Sequence, residues 1–415
     1  MPGRNPASDT LPAAGQREIP RIAELRAVHS AFLYLHNQEL AFRRWQMELA
    51  AVPAPPFGEA ARSDWLRQRF VTLGLHHVQV DELGNVSALF QEDRRLPLVA
   101  ASAHIDTVFP SGTPLAFREE GNRLFGPGIS DNAAGVVALL AVASALKQAQ
   151  IQPKTNIAFI GNVGEEGEGN LRGMRHIFAD SYWNSAIRQL LVIDGAGADT
   201  YVTQALGSRR FEITFRGPGG HSWSDFGTPN PIVLLARALA CFSDVEVPDS
   251  PRTTFNVGVI EGGRSVNSIP ESASARVDLR SASMEELHKL ERRLREAVAS
   301  AVATEAAQPS PAAGQKIGFH IEDIGDRPAA ALPADARILQ VIRAVDSHLG
   351  IKSVPRLAST DANIPLSLGK ESITIGAGGD GGGSHTLREW FDCANRDLGL
   401  KRILLALLAL TGVHE

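Results

Sequence analysis

Hydrophobic and polar positions follow two rhythms along this chain. From Ile22 to about Ala51 apolar residues recur with helical spacing, and VPAPPFG (Val52 to Gly58) ends the run, because its prolines lack backbone donors and fix φ. A second helix is expected from about Glu59 to Leu73. Then HHVQVDELGNVSALF and LPLVAASAHID read as strands joined by turns. A long apolar helix follows from about Asn132 to Ala149, with Ser130 or Asp131 placed to cap it. TNIAFI and LLVIDG (Leu190 to Gly195) read as further strands. Strands alternating with helices at this spacing predict an α/β unit with a doubly wound, largely parallel sheet.

Near Gly207 the pattern changes to strict alternation in SRRFEITFRGPGG, TTFNVGVIEGG and SASARVDLRSA, with helices expected at Pro231 to Phe242 and Met284 to Ala303. AAQPSPAAGQ reads as a loop before a last strand, KIGFHIED. The first rhythm then resumes with a helix from about Ala334 to Leu349, a strand at Ser372 to Gly378, a Gly-rich loop and a closing helix to Thr411. A smaller α+β domain (207–326) is therefore expected to be inserted into the larger one (1–206 and 327–415). No internal repeat is visible.

The 415 residues, 44% hydrophobic, hold enough apolar material for two cores. A net charge of -5 and an isoelectric point near 6.2 give no basic field for nucleic acid or an anionic membrane, so small-molecule or peptide partners are expected. Cys241 and Cys393 make no disulfide framework and fit a reducing, cytoplasmic setting. The first twenty residues lack a signal-peptide core and read as a flexible, Pro-rich arm. Apolar runs such as Val136 to Leu146 fall short of the roughly 20 residues that span a bilayer.

The candidate chemistry gathers at strand ends. GNVGEEGEGN (Gly161 to Asn170) places Glu165 and Glu166 on a Gly-rich turn leaving a buried strand, the edge of an α/β sheet where ligands bind. His104 and Asp106 in AHIDTVFP, Asp131 in GISDNAAG, Asp194 in VIDGAG and His385 in GGGSHTLRE end neighbouring segments. If they converge, so many carboxylates need a positive centre among them. Nitrogen and oxygen donors without thiolates suit zinc, with cobalt or manganese as substitutes. Two histidines and three carboxylates suffice for two ions about 3.5–4 Å apart if one carboxylate, Asp131, bridges. His104 and Asp106, at i and i+2, are expected on one strand face, where the carboxylate orients the ring.

This ordered set resembles the dinuclear-zinc exopeptidase and deacylase family that includes peptidase T, carboxypeptidase G, acetylornithine deacetylase and succinyl-diaminopimelate desuccinylase. The resemblance covers nearly the whole chain. It implies two zinc ions held by His104, Asp131 (bridging), Glu166, Asp194 and His385, with Glu165 as general base and Asp106 orienting His104. In the inserted domain, a lid by this resemblance, it implies that His221 in GPGGHSW stabilises an oxyanion and that Asn267 in GGRSVNSIP and Arg280 in RVDLRS bind a substrate carboxylate. Without the family each of these three reads as an ordinary surface residue. The resemblance further implies a homodimer in which the histidine reaches the neighbouring subunit's site.

Where many relatives carry lysine two residues after the bridging aspartate, this chain has Ala133, with no ligand lost. Aspartate at 194, where the deacylase branches commonly carry glutamate and the amino-, di- and tripeptidase branch aspartate, and STDANIPLSLG (Ser359 to Gly369), which resembles the matching segment of peptidase T, point to an exopeptidase of di/tripeptidase or aminopeptidase type, acting on short peptides from the amino end. The alternatives are an N-acyl-amino-acid deacylase with the same metal site, and a binding protein that keeps the fold without chemistry. Among other polar positions, His76, His77 and His176 are expected outside the site, and Glu389, one helical turn past His385, either behind it or exposed on a first helical turn.

Overall fold

In the computed structural model the described residues are 13–94, 97–306 and 317–414. The chain packs as two compact units: Ala205–Ala330 forms one, and the segments on either side of it form the other. The expected N-terminal arm lies outside the described residues up to position 12, and its remainder is the start of the helix Ala13–Ala23. The loop expected at AAQPSPAAGQ also lies outside them, apart from Ala306, which ends a helix.

The first unit is built on a nine-stranded sheet. Across it run His76–Val80, Val86–Leu89, Ile157–Asn162, Leu98–His104, Ile187–Ile193, Glu371–Ile375, Thr200–Ala205 and Ala330–Ala331, with Val354–Ala358 also paired to Thr200–Ala205. The four central strands, from Ile157–Asn162 to Glu371–Ile375, are mutually parallel. The flanks are antiparallel, so the sheet as a whole is mixed. Leu98–His104 and Ile157–Asn162 are buried at every position, as expected of strands covered on both faces. Two apolar helices, Ala133–Gln148 and Arg396–Thr411, pack against Leu98–His104 and each other, and both are buried almost throughout.

Asn132, rather than Ser130 or Asp131, caps the first of these helices, its side chain accepting the Gly135 N–H at 3.1 Å. A Cβ at Gly135 would overlap the Asn132 side chain and the Ile193 carbonyl, so glycine there lets the helix start against the end of Ile187–Ile193. The helical stretch expected from Ile22 is three helices, Ala13–Ala23, Arg26–Asn37 and Glu39–Ala50. The Gly-rich loop before the closing helix also holds unexpected order. Asp380–Gly382 pairs with Trp390–Asp392, which pairs with Arg123–Phe125, which pairs with Arg118–Glu120.

The second unit is an antiparallel sheet in the order Thr253–Gly262, Ser272–Ser281, Gly207–Arg216 and Gly318–Arg327. The helices Pro231–Ser243 and Met284–Ala306 cover one side, where Phe211, Phe215, Leu235, Phe242, Leu279 and Leu294 form the core. A short pair, Gly220–His221 with Ser268–Ile269, lies beside this sheet. Among the described residues no helix is long and apolar enough to cross a membrane.

Candidate metal centre

The strand Leu98–His104 ends on His104, which is buried. Its Nε2 stands 3.2 Å from Asp131 Oδ1 and 3.6 Å from Asp194 Oδ1. Asp131 comes from the turn before the helix Ala133–Gln148, after which the Asp131–Asn132 peptide is cis, and Asp194 leaves the neighbouring strand Ile187–Ile193. Asn132 links the two, donating to the Ile193 carbonyl at 2.9 Å and accepting the Gly195 amide at 3.1 Å. The other oxygen of Asp131 lies 3.2 Å from His385 Nε2, and that nitrogen is 3.0 Å from Glu166 Oε1. Two donor groups result, His104 with Asp131 and Asp194, and His385 with Asp131 and Glu166. They share Asp131.

The strand Ile157–Asn162 delivers the Glu-Glu turn. Gly164, at φ 66°, supplies a left-handed residue that bends the chain there. Glu165 and Glu166 are both buried, and with His104 they form a third group that overlaps the first two. Asp106 organises this corner. Its carboxylate accepts the amides of Glu165 at 3.0 Å and Glu166 at 2.9 Å. Toward His104 Nδ1 it offers its backbone carbonyl at 3.2 Å, with the carboxylate at 3.6 Å. The shared strand face expected from the i, i+2 spacing is absent because the strand stops at His104, so the carbonyl meets the ring and the side chain turns to the two amides.

The electrostatics of this cluster favour positive charge on both histidines. Burial works against charge on His104, yet Asp106, Asp131 and Asp194 outweigh it and hold its pKa well above the ordinary value. Asp131 and Glu166 push His385 up to about 10. Burial opposes ionisation of Asp131, but its bonds to His104 and His385 carry its pKa far below the usual carboxylate range. The carboxylates thus favour positive charge in the site, and a divalent cation held by such a donor group would supply it without protons. The donor chemistry, the shared carboxylate and the absence of thiolates fit zinc-type ions.

Three further residues stand behind the candidate ligands, and of these only Glu389 was raised by the sequence, as one of two readings. Glu389 is not on a helical turn: it immediately precedes the strand Trp390–Asp392 and is fully buried. It accepts the amides of Gly128 at 2.9 Å and of Ser130 and Asp131 at 2.7 Å, and burial pushes its carboxyl up to about 7. Asp361, also fully buried, accepts from Asn162 Nδ2 at 2.7 Å, and burial raises it to about 7. Arg62 is buried with carbonyl partners on Ala50, Val52 and Ile105, the last between His104 and Asp106. Burial lowers its pKa to about 10.

The remaining candidates lie in the second unit. His221 and Asn267 are neighbours: His221 pairs with Ser268, and the Ser222 amide donates to the Asn267 carbonyl at 3.1 Å. Arg280 sits near the other end of Ser272–Ser281, about 27 Å from Ser272 at roughly 3.4 Å per residue, and donates to Asp278 at 2.6 Å. The unit therefore brings His221 and Asn267 together and leaves Arg280 apart. Of the histidines expected elsewhere, His77 meets the Glu92 carbonyl at 2.7 Å, and His176 lies 3.3 Å from Glu82 on the helix Arg172–Ala179.

Comparison with known proteins places the chain among relatives in sequence and in fold. The chain is 29% identical over 210 residues to the "Probable carboxypeptidase" of Ajellomyces capsulatus, a match covering 46% of this chain and 47% of that protein. It thus spans about half the length of the curated relatives it matches. In fold it is similar to a tripeptidase from Staphylococcus aureus (TM-score 0.72, 20% identity, 89% of this chain and 97% of that one). It is likewise similar to the aminopeptidase PepT from Bacillus cereus (TM-score 0.71, 19% identity, 90% and 98%). The family description Peptidase family M20/M25/M40 matches residues 100–409, a span that holds every residue of the two donor groups, and the chain belongs to that family.

Proposed function

We propose that the protein is a metal-dependent exopeptidase that hydrolyses the amide bond of short peptides. The observation that carries this reading is the pair of donor groups sharing Asp131, with Glu165 on the same turn as Glu166. His104, Asp194 and Asp131 would hold one ion, and His385, Glu166 and Asp131 the other. Bound there, two zinc ions, or cobalt or manganese, would supply Lewis-acid activation of water and of the scissile carbonyl.

The chain's own residues do the rest. Glu165 takes a proton from the attacking water and returns it to the leaving amine, a role open to a carboxylate that ligates neither ion. Asp106 fixes the turn carrying Glu165 through two backbone bonds. His221 donates to the developing oxyanion, and Asn267 and Arg280 bind the substrate carboxylate, Arg280 with its forked donors. Since Asn267 comes before the Ser272 end of the strand Ser272–Ser281 and Arg280 stands near its other end, a single copy of this unit is not expected to present both to one carboxylate. This favours a homodimer in which His221 and Asn267 of one subunit serve the site approached by Arg280 of the other. The exposed edge strand Thr253–Gly262, with Val257, Val259 and Ile260, offers a surface for it.

Asp194 and the Ser359–Gly369 segment favour peptides over N-acyl amino acids, and the aminopeptidase and tripeptidase of like fold are in keeping with that choice. The test is hydrolysis of a di- and tripeptide panel beside N-acyl amino acids by the zinc-loaded protein. Turnover of free-amine peptides is expected, and turnover of the acylated compounds alone would overturn the reading in favour of a deacylase. Light scattering reports the dimer, and a monomer with full activity would overturn the shared site.

A further inference from the structure

The loop that carries His221 holds that residue's backbone from both sides. Asp225 Oδ2 accepts the His221 amide at 2.7 Å, and the Asp225 amide donates back to the His221 carbonyl at 3.0 Å. Gly220, just before, lies so close to Asp225 that a Cβ there would meet the aspartate's own Cβ at 2.9 Å. The strand pair with Ser268–Ile269 restrains the same two residues from the other side.

The imidazole is restrained too. Its Nδ1 receives the backbone amides of Trp223 at 3.2 Å and Ser224 at 3.4 Å. An amide N–H only donates, so Nδ1 is the accepting nitrogen and the proton of the neutral ring resides on Nε2. His221 itself is exposed, as is the Trp223 side chain beside it.

We propose that Asp225 is the positioning residue for His221: by folding the 221–225 turn it sets two amides on Nδ1 and so fixes the ring as an Nε2–H donor. This rests on the proposed role of His221 as oxyanion donor, and it adds why the ring donates rather than accepts. Asp225 touches no reacting atom; it acts through the turn.

The test uses the full zinc-loaded chain with 15N-labelled histidine, the His221 resonances being assigned by their loss in His221→Gln. Two-bond 1H–15N spectra are expected to show the Nε2–H form in the parent chain and in Asp225→Asn, which keeps an accepting oxygen, and a mixture of forms in Asp225→Ala. Peptide turnover is expected to drop by about 10-fold in kcat for Asp225→Ala, with KM little changed and Asp225→Asn restoring most of it. An Nδ1–H ring in the parent chain overturns the proposal, whatever the variants do. So does an Asp225→Ala chain that keeps full kcat while His221→Ala loses about 10²-fold. Full kcat in His221→Ala instead removes the functional reading of that histidine, while the spectra still decide whether the turn fixes its proton.

Discussion

Asp106 holds Glu165 by its backbone: one carboxylate oxygen accepts the Glu165 amide at 3.0 Å, and the other takes the next amide along. The same residue's carbonyl faces the His104 ring. Asp106→Ala frees both amides and lets the turn drift, so metal affinity is expected to fall by about 10- to 100-fold, as for other residues that brace ligands. Zinc retained after dialysis against a graded chelator measures this. Asp106→Asn, able to accept only one amide, should fall between the parent and alanine.

Glu165→Gln tests the division of labour between adjacent glutamates. It keeps the size of the side chain and the backbone bond to Asp106, yet removes the proposed base, so kcat is expected to fall by about 10²- to 10⁴-fold. The bound zinc should stay the same. Equal loss of metal in Glu165→Gln and Glu166→Gln would show that both are ligands.

The pH dependence of stability follows from four groups. His385, raised to about 10, stabilises the metal-free chain fully below its ordinary value near 6.5, and that contribution is lost as pH rises toward 10. His104 is shifted in the same direction. Glu389 and Asp361, each raised to about 7, disfavour the folded state as they ionise between their ordinary values and pH 7. Between pH 5 and 7 all four act in one direction, and above 7 the two histidines continue it, so the metal-free protein is expected to melt at a lower temperature at pH 9 than at pH 6. Zinc, which takes the place of the histidine protons, should narrow or reverse the difference. Thermal unfolding with and without chelator decides it.

Arg402 and Asp346 form a buried bidentate pair at 2.6 and 2.7 Å, and neither belongs to the candidate donor groups. Arg402 also donates to the Thr200 carbonyl, and Ser353 donates to Asp346. Removing only the cation, in Arg402→Met, strands a buried carboxylate and is expected to destabilise the chain by about 3–5 kcal/mol. Urea unfolding of the zinc-loaded protein would show this as a lower midpoint, and kcat at a permissive temperature should hold.

The candidate site was legible in sequence where its residues follow a buried strand. His104, Glu165 and Asp194 each stand at or just past the end of a strand whose apolar run marks it out. Glu389 was not readable in this way. Its neighbours pair with Arg123–Phe125, more than 250 residues away, and short strands with glycines carry no period of their own. Asn132 was hidden because three successive residues, Ser130 to Asn132, are all able caps, and only packing against Ile193 selects one. The break of the first helical stretch near Asn37 leaves the spacing of apolar residues almost unchanged, so periodicity ran through it.

The central sheet closes late. Glu371–Ile375 fills the place between Ile187–Ile193 and Thr200–Ala205, strands made about 180 residues earlier. On a ribosome adding about 5–20 residues per second, the edge of Ile187–Ile193 stays without its neighbour for roughly 10–40 s. The nascent chain therefore carries a bare, apolar β edge while the entire intervening unit is translated, and this interval is when it is most open to aggregation or to capture by a chaperone.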